Sequence, residues 1–283
     1  MHRRHLVRLA AASRAARQRR KPADPALWSP TDVSGLALWL KADAGTWQDA
    51  ALTTAAAADG DVVGGWVDQS GTANNATQAT TAAKPTLKLG IVNGLPVLRF
   101  DGSDDILTVL NDASLSPTTG LTAFYVTKNL AGTDLGVVLA KGDTASNQPG
   151  AEWVFPHNVD TASYIGILIS DDANNAGIGR RDLTITGYTA ANVWVGTWDG
   201  GTADANTAFF QNGTQIDTDS AGWSGSITSM QAGAKNVTIG GGTSNLTAIY
   251  AGVDVAEILL YGPSLSVADR TRVTNYLMAR YGI

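Results

Sequence analysis

The chain has 283 residues, 44% of them hydrophobic, which is enough for one large domain burying roughly three quarters of its unfolded surface and excludes disorder as its main state. The net charge of −5 is unevenly divided: eight of twenty basic residues (Arg3, Arg4, Arg8, Arg14, Arg17, Arg19, Arg20 and Lys21) lie in the first 21 positions, where no acid occurs, leaving 12 basic against 25 acidic residues, a net −13, from Pro22 onward. Cysteine is absent, which excludes disulfides and thiolate metal sites.

The basic segment comes first in the chain. Arg8 interrupts the apolar stretch from Leu6 to Ala12, so no secretory signal core is expected, and no run of 18 apolar residues predicts a transmembrane helix. Ala10 to Ala12 and Ala15-Ala16 favour a short basic helix between about Leu6 and Arg20. A solvated tail and an organellar transit peptide are the other readings. Such a segment can attract nucleic acid, an anionic membrane or an acidic protein surface. It holds no aromatic residue that could stack on a base, so docking onto other proteins is expected, without nucleic acid or membrane as partner. Pro22, Pro25 and Pro30 then form a stiff link. Residues 1–27 accordingly read as an anchoring arm with its linker, and residues 28–283 as the folded domain.

The body reads as strands and turns. Of its 25 acids, 23 are Asp and only Glu152 and Glu257 are Glu, a composition that suits turns better than long exposed helices. Leu36 to Leu40 is an apolar run of strand length, and Val62 to Val67 leads into the turn Asp68-Gln69-Ser70-Gly71. Leu95 to Phe100 follows, closed by Asp101-Gly102-Ser103-Asp104-Asp105. Thr122 to Lys128, Gly136 to Ala140, Glu152 to Phe155, Tyr164 to Ile169 and Asn192 to Trp198 continue the series. Asn212-Gly213 between two short strands predicts a hairpin with a type I′ turn. Asn236 to Gly240 and Asp254 to Tyr261 give two late strands, while Gly240-Gly241-Gly242-Thr243 lacks a P-loop lysine and reads as a flexible strand end. Leu265, Val273, Leu277 and Tyr281 recur at helical spacing, so one helix is expected within Ser264 to Tyr281, capped by Ser264 or Ser266. No repeat of 20–50 residues is visible, which disfavours a propeller or solenoid. The fold class is all-β: a β-sandwich of two antiparallel sheets with one C-terminal helix and a basic N-terminal arm.

Leu36-Ala-Leu-Trp-Leu-Lys-Ala-Asp43, Trp66-Val-Asp-Gln-Ser-Gly71 with Asn75-Ala76, Asn93-Gly-Leu-Pro96, Phe100-Asp-Gly-Ser-Asp-Asp105, Asp254-Val-Ala-Glu-Ile-Leu-Leu-Tyr261 and the closing Tyr281-Gly-Ile283 together resemble the laminin G-like or concanavalin A-like jelly-roll domains of bacterial and phage proteins. The resemblance covers nearly everything from Trp28 onward. The Arg-rich start followed by Trp28-Ser-Pro-Thr-Asp-Val-Ser-Gly-Leu-Ala-Leu-Trp39 is similar to the opening of phage virion proteins that carry such a domain. It implies a body displayed on a capsid or tail and attached through its N-terminus, with other virion proteins as partners.

This fold hosts lectins, hydrolases, adhesion modules and inert structural domains, so function has to be argued from sites. The related glucanases resemble one another in a Glu-x-Asp-x-x-Glu strand motif, which is absent here, and Glu257 between Ala256 and Ile258 is expected to be a structural partner. The adjacent pairs Asp104-Asp105 and Asp171-Asp172 are the remaining acid/base candidates, but neighbours on a strand face opposite ways. His157 is the only histidine after His5, too few for a His-rich metal centre, and no Gly-x-Ser-x-Gly elbow accompanies it. Calcium is the cation that the Asp-rich loops could take, through Asp199, Asp204 and Asn206 or through Asp101 and Asp104. Sugar binding needs aromatic faces beside hydroxyl-binding side chains; the middle third offers Trp153, His157, Tyr164, Arg180, Tyr188, Trp198 and Asp199. Trp39, Trp66 and Trp194 read as core. The expected function is a non-enzymatic virion structural protein, a capsid decoration or a head or tail fibre at the virion surface, attached by its arm as a homo-oligomer and binding host-surface glycans. The alternatives are an extracellular bacterial carbohydrate-binding or adhesion module and a polysaccharide hydrolase.

Overall fold

The computed structural model describes residues 28–128, 136–142, 151–157, 165–171, 176–182, 189–217, 219–220, 226–230, 233–243 and 248–283. The first strands are β1 (Leu36–Lys41), β2 (Thr46–Trp47), β3 (Gly65–Trp66), β4 (Ala76–Thr77), β5 (Thr86–Val92), β6 (Leu95–Asp101) and β7 (Leu107–Val109). The middle of the chain gives β8 (Leu121–Lys128), β9 (Gly136–Gly142), β10 (Ala151–His157), β11 (Ile165–Asp171), β12 (Ala176–Asp182) and β13 (Asn192–Trp198). Then come β14 (Thr207–Gln211), β15 (Thr214–Gln215), β16 (Asp219–Ser220), β17 (Val237–Ile239), β18 (Gly241–Thr243), β19 (Ala248–Tyr250), β20 (Gly252–Tyr261) and the helix α1 (Val267–Tyr281).

Two large antiparallel sheets face each other in a jelly-roll-like sandwich. The first runs β15-β14-β13-β8-β20-β6-β5, with β1 also on β20; the second runs β16-β12-β11-β10-β9-β17-β7-β4-β3-β2, and β18 and β19 form a separate two-stranded sheet. Side chains from both inner faces make the main core, among them Leu38, Trp66, Phe100, Leu107, Trp153, Phe155, Ile167, Trp194 and Phe209. Trp66 and Trp194 are core residues of this layer, as expected. Trp39 is buried in a second core, where Phe124, Leu259 and Tyr261 from the outer face of the first sheet meet Val273, Leu277 and Tyr281 of α1. The molecule is therefore layered sheet, sheet, helix.

The strand β20 explains this arrangement. It lies inside the first sheet, pairing with β8 along one edge and with β6 and then β1 along the other, and Val253 to Tyr261 are all buried. Strict alternation from Val253 and Val255 would point Glu257 into the apolar space between the sheets. A bulge between Val255 and Glu257 adds one residue, so Glu257 joins Ala256 on the helix side and Ile258 returns to the inter-sheet core. The bulge thereby releases the carboxylate from the interior of the sandwich.

The local signals behave as their chemistry requires. At the β14–β15 hairpin Asn212 and Gly213 have φ of 49° and 82°, the two positive values of a type I′ turn. A second such pair, Asn93-Gly94 with φ of 48° and 77°, joins β5 to β6. Ser266 is the N-cap of α1, accepting from the Asp269 amide, and Gly282 closes it in the left-handed conformation. The glycine run at Gly240 is not a loose strand end: Gly241–Thr243 forms β18, and a Cβ on Gly240 would lie 2.0 Å from the ring of Phe100. Gly196 likewise leaves room on β13 for Phe155 of the opposite sheet, since a Cβ there would come within 2.3 Å of that ring.

Candidate functional site

The residues expected to bind glycan separate into four groups. Trp153 and Trp198 are corrected: both are buried in the inter-sheet core, and their indole N–H groups donate to the carbonyls of Leu115 and Gly201. A ring packed between two sheets offers no face to a sugar. Their alternation with apolar neighbours came from the strand period itself. His157 and Arg180 belong to β10 and β12, with His157 in register with Ile165 and Gly136, and Arg180 with Ile167 and Ser220. Tyr164 and Tyr188 lie outside the described residues, as does the whole basic arm from Arg3 to Lys21. Asp199 is at the end of β13, where its Oδ1 accepts from the Gly201 amide at 2.9 Å.

Of the two loops expected to take calcium, one gathers carboxylates and one does not. In the loop after β13 the oxygens turn inward: Asp204 Oδ1 accepts from the Gly179 amide, Asn206 Oδ1 from the Ala203 amide, and Asn206 Nδ2 donates to Asp199 Oδ2. Asp199, Asp204 and Asn206 thus shape a turn through their own hydrogen bonds. After β6, carboxylate oxygens of Asp101, Asp104 and Asp105 all lie within 4.8 Å of one another, the single such acidic group among the described residues. Asp101 Oδ1 caps the turn by accepting from the amides of Ser103 and Asp104, while Asp105 Oδ2 accepts from the Asp101 amide. Three carboxylates would supply part of a calcium shell, the remaining oxygens coming from backbone carbonyls and water.

Asp105 is buried, and desolvation together with the neighbouring charge of Asp101 pushes its carboxyl up to about 6. The native state therefore holds a proton that the unfolded chain has released, so this group's contribution falls as pH rises from about 4 to about 6. Replacing Asp105 with Asn retains an acceptor for the Asp101 amide and removes the charge. Urea unfolding at pH 8 should show Asp105→Asn more stable than wild type by about 1–2 kcal/mol, and the gain should vanish below about pH 4. An equal effect at both pH values would mean that the charge is not what matters at this position.

The two glutamates are held inside the protein. Glu257 Oε1 accepts from the Trp39 indole at 2.7 Å, its Oε2 from the Tyr281 hydroxyl at 2.8 Å, and Arg280 Nε lies 3.2 Å from Oε2. Burial pushes its carboxyl up, and these three partners oppose that shift. Glu152 pairs with Lys141 at 2.9 Å, both fully buried. Asp171 is also buried, with Oδ2 accepting from the Thr228 amide at 2.7 Å. Glu257 is thus the structural partner its sequence context suggested.

The motif from Trp66 to Ala76 organises the end of the sandwich. Asp68 is buried and accepts from the amides of Trp39 and Ser70 on Oδ1 and from Ser70 Oγ and the Asn74 amide on Oδ2. Asn74 in turn donates to the Ala37 carbonyl and Ser114 Oγ, and Asn75 Oδ1 accepts from the Asp68 amide. The recurring Asp and Asn of this motif tie β1, the turn after β3 and the connection after β7 together.

No family model matches the sequence, and no curated protein matches it. Solved structures do match its fold. The binding domain of Paraclostridial Mosquitocidal Protein 1 superposes with a TM-score of 0.58 at 12% identity, over 88% of this chain and 53% of that one. The receptor binding domain of botulinum neurotoxin D gives 0.56 at 13%, over 89% and 55%. A structure of botulinum neurotoxin type C, describing cell entry that depends on interaction with two ganglioside molecules, gives 0.54 at 12%, over 87% and 52%. The chain spans about half the length of each of these structures, and what it shares with them is the architecture of an all-β jelly-roll-like sandwich.

Proposed function

We propose that this chain is a non-catalytic recognition and display protein, in which the sandwich of residues 28–283 binds host-surface glycans and the basic arm fastens it to a larger assembly. The assembly in this reading is the capsid or tail of a virion. The observation that carries the recognition role is the architecture itself, shared with receptor-binding domains of toxins, one of which enters cells through gangliosides. At 12% identity the likeness is one of fold, so the recognition role rests on fold-level analogy, and the arm supplies the second element. Among the described residues no helix is long and apolar enough to cross a membrane. Attachment through a +8 segment carried by a −13 body is favoured by complementary charge on a partner. The burial of Glu152 and Glu257, each committed to partners inside the protein, supports a non-catalytic reading, because neither can reach a substrate.

Two measurements test the proposal separately. Deleting residues 1–21 should leave a cooperatively folding body that no longer enters the particle, scored by mass spectrometry of purified virions. Normal incorporation of the truncated protein, or absence of the full chain from particles, rejects the attachment role. A glycan array probed with the full chain should give saturable binding to host-surface polysaccharides. A blank array rejects glycan recognition, and hydrolysis of any arrayed glycan would overturn the non-catalytic assignment.

A further inference from the structure

Lys141 is a buried cation held against an amide and a carboxylate. Its side chain and that of Glu152 are both 0% exposed, on the paired strands β9 and β10. Lys141 Nζ lies 2.6 Å from Asn111 Oδ1, 2.9 Å from Glu152 Oε1 and 2.6 Å from the Lys235 carbonyl. Glu152 Oε1 also accepts from the Gly233 amide, while its Oε2 is buried with no hydrogen-bond partner among the described residues. Asn111 is fixed from the other side, its backbone amide donating to Asn236 Oδ1 at 2.9 Å.

An amine in contact with both a carboxamide and a carboxylate brings together the three groups needed for transamidation. We propose that Lys141 and Asn111 form an intramolecular isopeptide bond with Glu152 as the proton-transfer group. The Lys141 ammonium gives a proton to Glu152, and rotation of the exposed Asn111 amide about χ2 presents the face of its carbonyl group to the neutral Nζ. The Nζ lone pair attacks Asn111 Cγ and the new C–N bond forms. Glu152 returns its proton to the Asn111 amide nitrogen, and a second proton passes the same way from Nζ. The Cγ–Nδ2 bond breaks and the nitrogen leaves as ammonium, so charge is conserved, Glu152 is regenerated and no oxidant or reductant is needed.

Three features of the site favour the reaction. Contact between amine and amide converts a bimolecular acylation into an intramolecular one. The free Oε2 gives Glu152 an oxygen able to carry the proton. The Gly233 amide donates to Glu152 Oε1 and so remains a partner for the carboxylate once a neutral amide has replaced the cation. Asn111 itself is exposed, which gives the ammonium a way out. The cross-link would close a loop of 30 positions, joining the segment after β7 to β9 in the second sheet.

The test is the intact mass and peptide map of the purified full chain. The expected main species is lighter by one ammonia than its sequence requires, and trypsin should release a branched peptide joining Asn111 to Lys141, with no cleavage after Lys141. The branched peptide separates this reaction from ammonia loss at Asn93-Gly94 or Asn212-Gly213, which joins no two peptides. Lys141→Arg, Asn111→Ala and Glu152→Gln should each remove the branch. An intact mass equal to that of the sequence, with Lys141 cleaved by trypsin and Asn111 recovered in a linear peptide, would overturn the proposal and leave an ordinary buried ion pair. Because that reading comes from the wild-type protein, it does not depend on any variant folding.

Discussion

Asp68→Ala should destabilise the domain by about 3–5 kcal/mol, among the largest effects of any single polar substitution in the body. The carboxylate is buried and accepts from the amides of Trp39, Ser70 and Asn74 and from the Ser70 hydroxyl, at 2.7 to 3.0 Å. Truncation removes the acceptor and leaves these donors without it, and a buried donor with no partner costs about 1–3 kcal/mol. The Trp39 amide suffers most. It belongs to β1, which among the described residues pairs with β20 alone and is buried from Ala37 to Leu40, so no second strand can replace the lost acceptor. Asp68→Asn is the informative control: it keeps the shape but places an NH2 group against donors, so about 2–3 kcal/mol should still be lost. Chemical denaturation followed by tryptophan fluorescence measures both. A loss below about 1 kcal/mol for the alanine variant would show that water replaces the carboxylate and that the motif is not a structural clasp.

Glu257→Ala should cost a comparable amount, about 3–5 kcal/mol, through a different failure. The carboxylate joins three elements: β20 carries it, the Trp39 indole of β1 donates to one oxygen and the Tyr281 hydroxyl of α1 to the other. Arg280 of the same helix approaches within 3.2 Å and is shared with Asp43. Without the carboxylate, the indole N–H and the phenol lose their acceptor, and the Arg280 charge keeps only Asp43. Glu257→Gln should be milder, about 1–2 kcal/mol, because burial already pushes this carboxyl toward its neutral form and the amide oxygen still accepts one of the two donors. The expected signature is early loss of the helix layer, seen as faster amide exchange in α1 than in β20. Unchanged protection of α1 in Glu257→Ala would show that Leu277, Val273 and Tyr281 hold the helix by apolar contact alone.

How much of this was legible in the sequence varies from element to element. β13 was read with its observed ends because apolar residues fill the strand period between Asn192 and Trp198. The hairpin at Asn212-Gly213 and the N-cap at Ser266 were legible because each depends on a few adjacent atoms. The same Asn-Gly signal at Asn93-Gly94 was present but not read as a hairpin. Its first strand, β5, includes the exposed Leu89 and Gly90 and shows no apolar face. Lys141 and Glu152 carried a readable signal, a charge inside an apolar strand, which demands a partner once the strand is buried. The partner's identity was not readable, since Glu152 is 11 positions away and Asn111 is 30.

The site residues divide along the same line. Trp153 and Trp198 were read as sugar platforms because aromatic residues on a β-protein serve either a core or a surface, and one chain cannot say which face is covered. Burial decides that, and here the opposite sheet covers both. For Asp101 and Asp104 the turn chemistry was local and legible, while the approach of Asp105 depends on how β6 hands the chain to β7.

By itself, the sequence determined what short-range physics determines: the all-β class, the Asp-rich turns, one amphipathic helix at the C-terminal end and the separation of a +8 segment from a −13 body. Only the tertiary structure decided which face of each strand is inside and where the bulge in β20 turns Glu257 toward the helix. It also decided which carboxylates are clasps, as at Asp68, and which stand together at an edge, as at Asp101. The reason is that backbone propensity and turn geometry act over a few residues. Burial and charge pairing arise between residues as distant as Trp39 and Glu257, 218 positions apart, and exist only once the sheets have closed.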